Sequence, residues 1–306
     1  MTVFLVNPAA GGGGTGKRWP ELRRRAAALG LEGDVLMSER PGHLSELAAS
    51  AIATGERRLV AVGGDGTVFE VVNGILETGG SEVELSVLPR GTGRDFARSV
   101  GIPKAFDGAV AVARGGRLRT IAAGRASFTS DGATSNAWFA NLAGAGISGA
   151  IAERANASSK ALGGRVSFML ATVRVFARWK SAHVELEIDG DRRSGQMFEI
   201  VAMNGPFAAG GMRIAPDADP DDDQLDCVLF GDITKLDFLT TFPKIYAGRH
   251  LAHPRVDLVR GRRVSIDGEI PLPVVLDGEQ VGTTPARFEV VPGALRVRVP
   301  TTPSAA

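Results

Sequence analysis

The sequence predicts two domains: an N-terminal α/β domain with a doubly wound parallel sheet, and a C-terminal β-sandwich-like domain with inserted helices. Three observations predict this. Strand and helix patterns alternate through the first third of the chain. From about Gly124 the apolar residues fall at period two in short runs. Glycine-rich turns follow three of the strand patterns in the first domain. A chain of 306 residues is long enough for two domains of ordinary size, each with its own core.

In the first domain, residues 3–6 read as a strand and 19–29 as a helix. Residues 34–37 and 44–54 form a second such pair, and 59–62 and 68–76 a third. A fourth strand at 85–88 precedes short helices at 94–100 and 109–114. Alternating units of this kind make a parallel sheet that binds ligands at the carboxyl ends of its strands. In the second domain the strand patterns cover 137–142, 184–188, 198–203, 225–230, 256–259, 264–266, 274–276, 288–291 and 295–299. Helical patterns lie at about 166–179 and 235–246. The expected division is 1–124, 125–300 and a frayed tail at 301–306.

Composition excludes several classes. A formal net charge of +1 gives no global field for nucleic acid. The single cysteine, Cys227, rules out a disulfide framework and suits a reducing compartment. It falls in a strand pattern, as a core residue would. The four histidines show no metal-ligand spacing. The N-terminal run is too short for a signal peptide, and no apolar run reaches membrane-spanning length. The expectation is a cytoplasmic protein with at most peripheral contact at the inner membrane face.

The chemistry is concentrated in the glycine turns. Gly63-Gly64-Asp65-Gly66-Thr67 sits between a β-branched strand and a helix, the arrangement that receives a phosphate on helical N–H groups. Asp65 would repel a bare phosphate, so it implies a cation or a proton-acceptor role. Asn7-Pro8-Ala-Ala-Gly11-Gly12-Gly-Gly-Thr15-Gly16-Lys17 nearly spells a P-loop, but Arg18 stands where Ser or Thr would hold Mg²⁺. The third turn is Pro89-Arg90-Gly91-Thr92-Gly93-Arg94-Asp95-Phe96-Ala97-Arg98. Three such turns on one sheet edge point to one nucleotide cradle.

Taken together, these turns resemble the bacterial diacylglycerol kinase family, which includes the sphingosine kinases and shares its nucleotide-binding domain with NAD kinases. The resemblance continues through Met203-Asn204-Gly205, Gly210-Gly211, Ala215-Pro216 and Leu276-Asp277-Gly278-Glu279. It implies an ATP- and Mg²⁺-dependent lipid kinase. The acceptor would be a hydroxyl on diacylglycerol, a long-chain base or a related lipid. Asn7, Gly11, Gly12, Ser38, Gly63, Gly64, Asp65, Gly66, Thr67 and Thr92 would contact the nucleotide. Asp65 would organise the Mg²⁺-bound end, and Asp277 or Glu279 would take the proton from the lipid hydroxyl. Asp222, with Asp219 and Gln224 through their backbone carbonyls, in the acidic loop 217–226, would hold a structural metal; the bland reading of that loop is a solvated turn.

Asp277-Gly278 also reads as a plain hairpin turn. The earlier Asp267-Gly268-Glu269 is assigned to structure alone. Two positions depart from the family pattern: Phe69 and Arg94 each stand where Asn is usual. Residues 165–180 interleave apolar and basic side chains. They suit an acyl pocket, an anionic surface, or a helix packed on the sheet with snorkelling arginines. Two alternatives stay open, an NAD kinase-like enzyme with a soluble acceptor and a catalytically silent nucleotide- or lipid-binding homologue. A homodimer is a further partner to consider.

Overall fold

The computed structural model describes residues 1–157 and 172–301. The chain divides into two compact units, Met1–Ala123 with the stretch from Pro292, and Gly124–Val291. The sequence reading assigned residues up to 300 to the second domain. Instead, the last strand leaves that unit at Pro292 and returns to the first.

The first unit alternates β1 (Thr2–Val6), α1 (Gly14–Ala28), β2 (Asp34–Met37), α2 (His43–Ala53), β3 (Arg58–Gly63), α3 (Asp65–Glu77), β4 (Glu84–Pro89), α4 (Asp95–Ser99) and α5 (Phe106–Gly115). Its strands run parallel in the order β2-β1-β3-β4, and residues 296–297 of the last strand add parallel to β4. The central strands are buried along nearly their whole length, as continuous apolar runs in a parallel sheet should be. The order reverses between β1 and β3, so the switch point lies where the first two glycine turns begin. The returning strand is pinned by Arg298, whose guanidinium donates to Glu84 at 2.6 and 3.0 Å and to the Gly116 carbonyl at 2.9 Å.

Two helices start earlier than their apolar patterns suggested. α1 begins at Gly14, directly out of the first glycine turn, and α3 begins at Asp65. Asp-Gly-Thr is therefore the first helical turn, not loop. The reason is capping: polar and glycine residues at a helix start are invisible to hydrophobic periodicity.

The second unit contains β5 (Arg117–Ser130, entering from the first unit), β6 (Ala133–Phe139), β7 (Leu142–Gly146), α6 (Ile147–Ala157) and a helix α7 described over 172–178. Next come β8 (Ala182–Ile188), β9 (Asp191–Met197), β10 (Glu199–Met203), β11 (Phe207–Ala208), β12 (Met212–Arg213), β13 (Leu225–Phe230) and α8 (Lys235–Ile245). The last strands are β14 (Val256–Gly261), β15 (Arg263–Gly268), β16 (Pro273–Leu276) and β17 (Glu279–Val299). The antiparallel order is β14-β13-β10-β7-β16-β17, with β15, β8 and β9 continuing from β17 and β6 paired to β5. The expected separate strands at 288–291 and 295–299 are thus one strand.

Gly124 lets β5 cross the Phe139 ring, since a Cβ there would lie 1.9 Å from a ring carbon. Phe139 in turn meets Phe288 edge to face at 6.1 Å. Phe176 and Trp179 pack on the core around Met203 and Val228, and the Trp179 indole donates to the Phe198 carbonyl at 3.0 Å. The described part of the expected 166–179 helix therefore packs on the sheet. Residues 166–171 of that expectation lie outside the described residues. Cys227 is buried, and burial pushes its thiol up to about 12, so it is inert core.

Glu199 is a buried carboxylate within β10. Ser148 donates to it from its hydroxyl at 2.5 Å and its amide at 2.9 Å, at the start of α6. Burial pushes this carboxyl up to about 7 despite those donors. The folded protein therefore holds a proton that the unfolded chain, near 4.5, releases first. Stability is fully present below pH 4.5 and declines as pH rises towards 7, by about 3 kcal/mol at 1.36 kcal/mol per unit. Glu199→Gln should abolish this part of the decline in urea-unfolding curves taken from pH 5 to 7.5.

Candidate functional site

Three glycine turns converge at the carboxyl ends of β1, β3 and β4. Asn7 starts the first. Its side-chain oxygen accepts the Ala9 amide at 3.0 Å and its amide nitrogen donates to the Thr67 hydroxyl at 3.1 Å. That bond ties the first turn to the second, and Thr67 is only 1 % exposed. Gly63 is required here because a Cβ would lie 2.0 Å from the Thr67 hydroxyl. Ser38 joins the edge at the end of β2, where its amide donates to the Val6 carbonyl at 3.0 Å.

Gly11, Gly12 and Gly13 have φ of 63, 66 and 83°, a left-handed run that other residues resist. Nothing lies within 4 Å of where a Cβ would stand on Gly12, Gly13 or Gly14. Among the described residues the amides of Gly11 and Gly12 have no backbone partner, nor do those of Gly91, Thr92 and Gly93. α1 starts at the first turn and α3 at the second, neither with a side-chain cap. Open space, unpartnered amides and two helix N-termini suit an anion.

Asp65 opens α3, and its side chain reaches the third turn. Its carboxylate accepts the amides of Arg94 at 2.7 Å, Asp95 at 2.8 Å and Phe96 at 3.3 Å. It caps α4 from the second turn, across 30 positions of sequence. Burial still holds its pKa above the ordinary aspartate value, with the three amides opposing. Its two oxygens thus bind the third turn to the second. The same turns touch at Gly91, where a Cβ would lie 2.4 Å from the Gly64 Cα. Thr92 is exposed between them. The structure therefore gathers Asn7, Gly11, Gly12, Ser38, Gly63, Gly64, Asp65, Gly66, Thr67 and Thr92 at one sheet edge.

Three residues escaped the sequence reading. Glu70, one helical turn after Gly66, accepts the Leu44 amide at 2.9 Å and so caps α2 from α3. Arg90 follows β4, and its Nε is buried without a hydrogen-bond partner. A basic residue between a buried strand and a glycine turn was the available signal. Glu199 gave none, because Phe-Glu-Ile-Val reads as an ordinary strand.

In the second unit, Asp277 and Gly278 have φ of 48 and 94° and close the β16–β17 hairpin. The hairpin reading of this pair holds. The Asp277 carboxylate accepts the amides of Ala140 at 2.8 Å, Asn141 at 2.9 Å and Leu142 at 2.8 Å. That makes it a positioning group for the hairpin. Glu279 pairs with Leu276 and is half-buried at the first position of β17. At the end of β15, the Asp267 carboxylate accepts the next amide, Gly268 N–H, at 2.9 Å.

The acidic loop is organised by an arginine. Asp222 pairs with Arg260, whose Nε also lies 3.3 Å from Asp226. The other Asp222 oxygen accepts the Gln224 amide at 3.0 Å, and the Asp219 carbonyl accepts the Asp222 amide at 3.1 Å. The Asp222 carboxylate and the Asp219 carbonyl thus have protein partners, and the Arg260 guanidinium offsets the charge of Asp222. Among the described residues no group of three His, Cys, Asp or Glu is arranged to hold a metal ion.

The fold and site together define a kinase of the diacylglycerol kinase catalytic class. Residues 1–126 match the diacylglycerol kinase catalytic domain, and residues 141–299 match the YegS C-terminal NAD kinase beta sandwich-like domain. The chain belongs to the bacterial diacylglycerol and lipid kinase family, a family of phosphotransferases. It is 29 % identical to a diacylglycerol kinase of Mycobacterium tuberculosis over 305 residues, covering 97 % of this chain and 94 % of that one. A diacylglycerol kinase of Staphylococcus aureus is 27 % identical over 287 residues, covering 93 % and 88 %. The crystal structure of a diacylglycerol kinase from Bacillus anthracis superposes with a TM-score of 0.72 at 20 % identity, covering 99 % and 98 %. That likeness shows the fold. No helix among the described residues is long and apolar enough to cross a membrane.

Proposed function

We propose that this chain transfers the γ-phosphate of ATP, taken up as its magnesium complex, to a hydroxyl of diacylglycerol or a related lipid. The observation that carries the reading is the joining of three glycine turns at the switch point of a diacylglycerol kinase catalytic domain. The amides of the first and third turns and the N-termini of α1 and α3 face the phosphates. Phosphoryl transfer needs little covalent help; it needs positioning, charge stabilisation and a base for the acceptor hydroxyl. Glu279 is that base, because Asp277 is committed to three amides.

A lipid acceptor is favoured by a cleft of about 430 Å³ in the second unit. Its lining combines Arg154, Arg174, Arg178 and Lys180 with apolar residues that include Trp179 and Leu272. A lining that mixes apolar and basic side chains suits acyl chains with a polar headgroup. A soluble dinucleotide acceptor has no use for such a lining, which sets the NAD kinase-like reading second.

The test is transfer of labelled γ-phosphate to diacylglycerol in mixed micelles. Glu279→Gln should lower kcat by 10²–10⁴-fold, the range for losing a general base, with KM for ATP little changed. Unchanged kcat in Glu279→Gln would remove Glu279 from the base role.

A further inference from the structure

The third glycine turn carries two arginines that the phosphate cradle described above does not use. Arg90 follows β4 and Arg94 immediately precedes α4. Each has its Nε buried with no hydrogen-bond partner, and among the described residues neither forms an ion pair. A guanidinium nitrogen removed from water without an acceptor is costly, so its retention implies an acceptor from outside the chain. Burial and the nearby charge of Arg18 both hold Arg90 below the ordinary arginine value, and Glu21 only partly opposes them. Like charges gathered at one turn are stabilised when an anion joins them.

Arg94 carries a second cost. Its φ and ψ are 59 and 37°, the left-handed region that Gly and Asn enter more easily than Arg. Asn is the residue usual at this position in the family. The chain therefore holds a strained backbone to place an arginine where a relaxed alternative exists. Strain of this kind gathers at ligand clamps. The carboxylates that reach this turn have other partners: Asp65 accepts the backbone amides of residues 94–96, and Asp95 pairs with Arg98 at 2.9 Å.

We propose that Arg90 and Arg94 bind the polyphosphate of the nucleotide donor, supplying as fixed protein charge part of the neutralisation otherwise left to a metal ion. The inference rests on the nucleotide cradle proposed above. Its consequence is that a nucleoside diphosphate binds this chain without added metal. Guanidinium forks match phosphate oxygens in a way an asparagine amide cannot.

Calorimetric titration of the full chain with ADP, in EDTA and again in Mg²⁺, tests this. Arg90→Gln and Arg94→Asn would run alongside, with AMP and glycerol 3-phosphate as comparison ligands. The wild type should bind ADP in EDTA. Each variant should lose tenfold or more in ADP affinity and much less in AMP affinity. Arg94→Asn should raise Tm while it weakens ADP, an opposition that a purely structural arginine would not show. Wild-type affinity for ADP in both variants would overturn the proposal, as would a wild type that binds ADP only in Mg²⁺. Glycerol 3-phosphate binding that matches ADP in strength and in sensitivity to both variants would reassign the arginines to the phosphorylated acceptor. Failure of the wild type to bind ADP in either condition would defeat the nucleotide cradle itself, and this inference with it.

Discussion

Asp277→Ala should unfold the second unit more readily than any other single change at the candidate site. The substitution strips the acceptor from the amides of Ala140, Asn141 and Leu142 at once. Each buried amide left unsatisfied costs about 1–3 kcal/mol, so the loss of three is on the order of 3–9 kcal/mol. That is a large part of the 5–15 kcal/mol typical of a whole domain. Alanine also enters the left-handed conformation at φ 48° less easily than aspartate, which adds to the loss. Asp277→Gly separates the two effects, because it relieves the backbone and still removes the cap. Urea unfolding followed by fluorescence reports the second unit through Trp138 and Trp179. Near-wild-type stability in Asp277→Ala would show that the carboxylate does not organise the hairpin.

Asp65→Ala should lose both stability and turnover. Its carboxylate is the acceptor for three amides at the start of α4, and those bonds hold the third glycine turn against the second. Their loss should cost about 2–4 kcal/mol, in the range of a strong helix cap plus exposed donors. With the third turn released, phosphoryl transfer should fall at least 10²-fold through misplacement of the donor. The distinguishing measurement is thermal unfolding of the apo protein in EDTA. A cap predicts a lower Tm in the variant with no metal or nucleotide present. A group acting only on a metal ion would leave that Tm unchanged.

Much of this architecture was legible in residue order. The βα alternation of the first unit depends on runs such as Val60–Val62 that are buried in a parallel sheet and therefore apolar throughout. β9, with the sequence Asp-Arg-Arg-Ser-Gly-Gln-Met, was not legible, because a strand that is largely solvent-exposed needs no apolar alternation. The return of residues 292–299 to β4 was hidden for another reason. Strand pattern reports burial, while the choice of partner depends on contacts over 200 positions of sequence, such as Arg298 with Glu84.

At the site, the residue types were readable and their partners were not. Asp65 and Asp277 both stood out as carboxylates in glycine turns, and both proved to be caps for amides distant in sequence. A motif records that a carboxylate is needed; only the fold shows whether its oxygens face a ligand or the chain. Arg94 is the converse case. Its departure from the usual Asn was visible in sequence, but the left-handed backbone that gives the change its cost was not.

The most direct test of the account is an acceptor panel. Purified protein, labelled ATP and Mg²⁺ would be offered diacylglycerol, a long-chain base and other lipids in mixed micelles, with NAD in parallel. The account predicts label in a lipid, none in NAD, and loss of the lipid label in Asp65→Ala. Label in NAD alone, or in no acceptor although ATP binds, would contradict it.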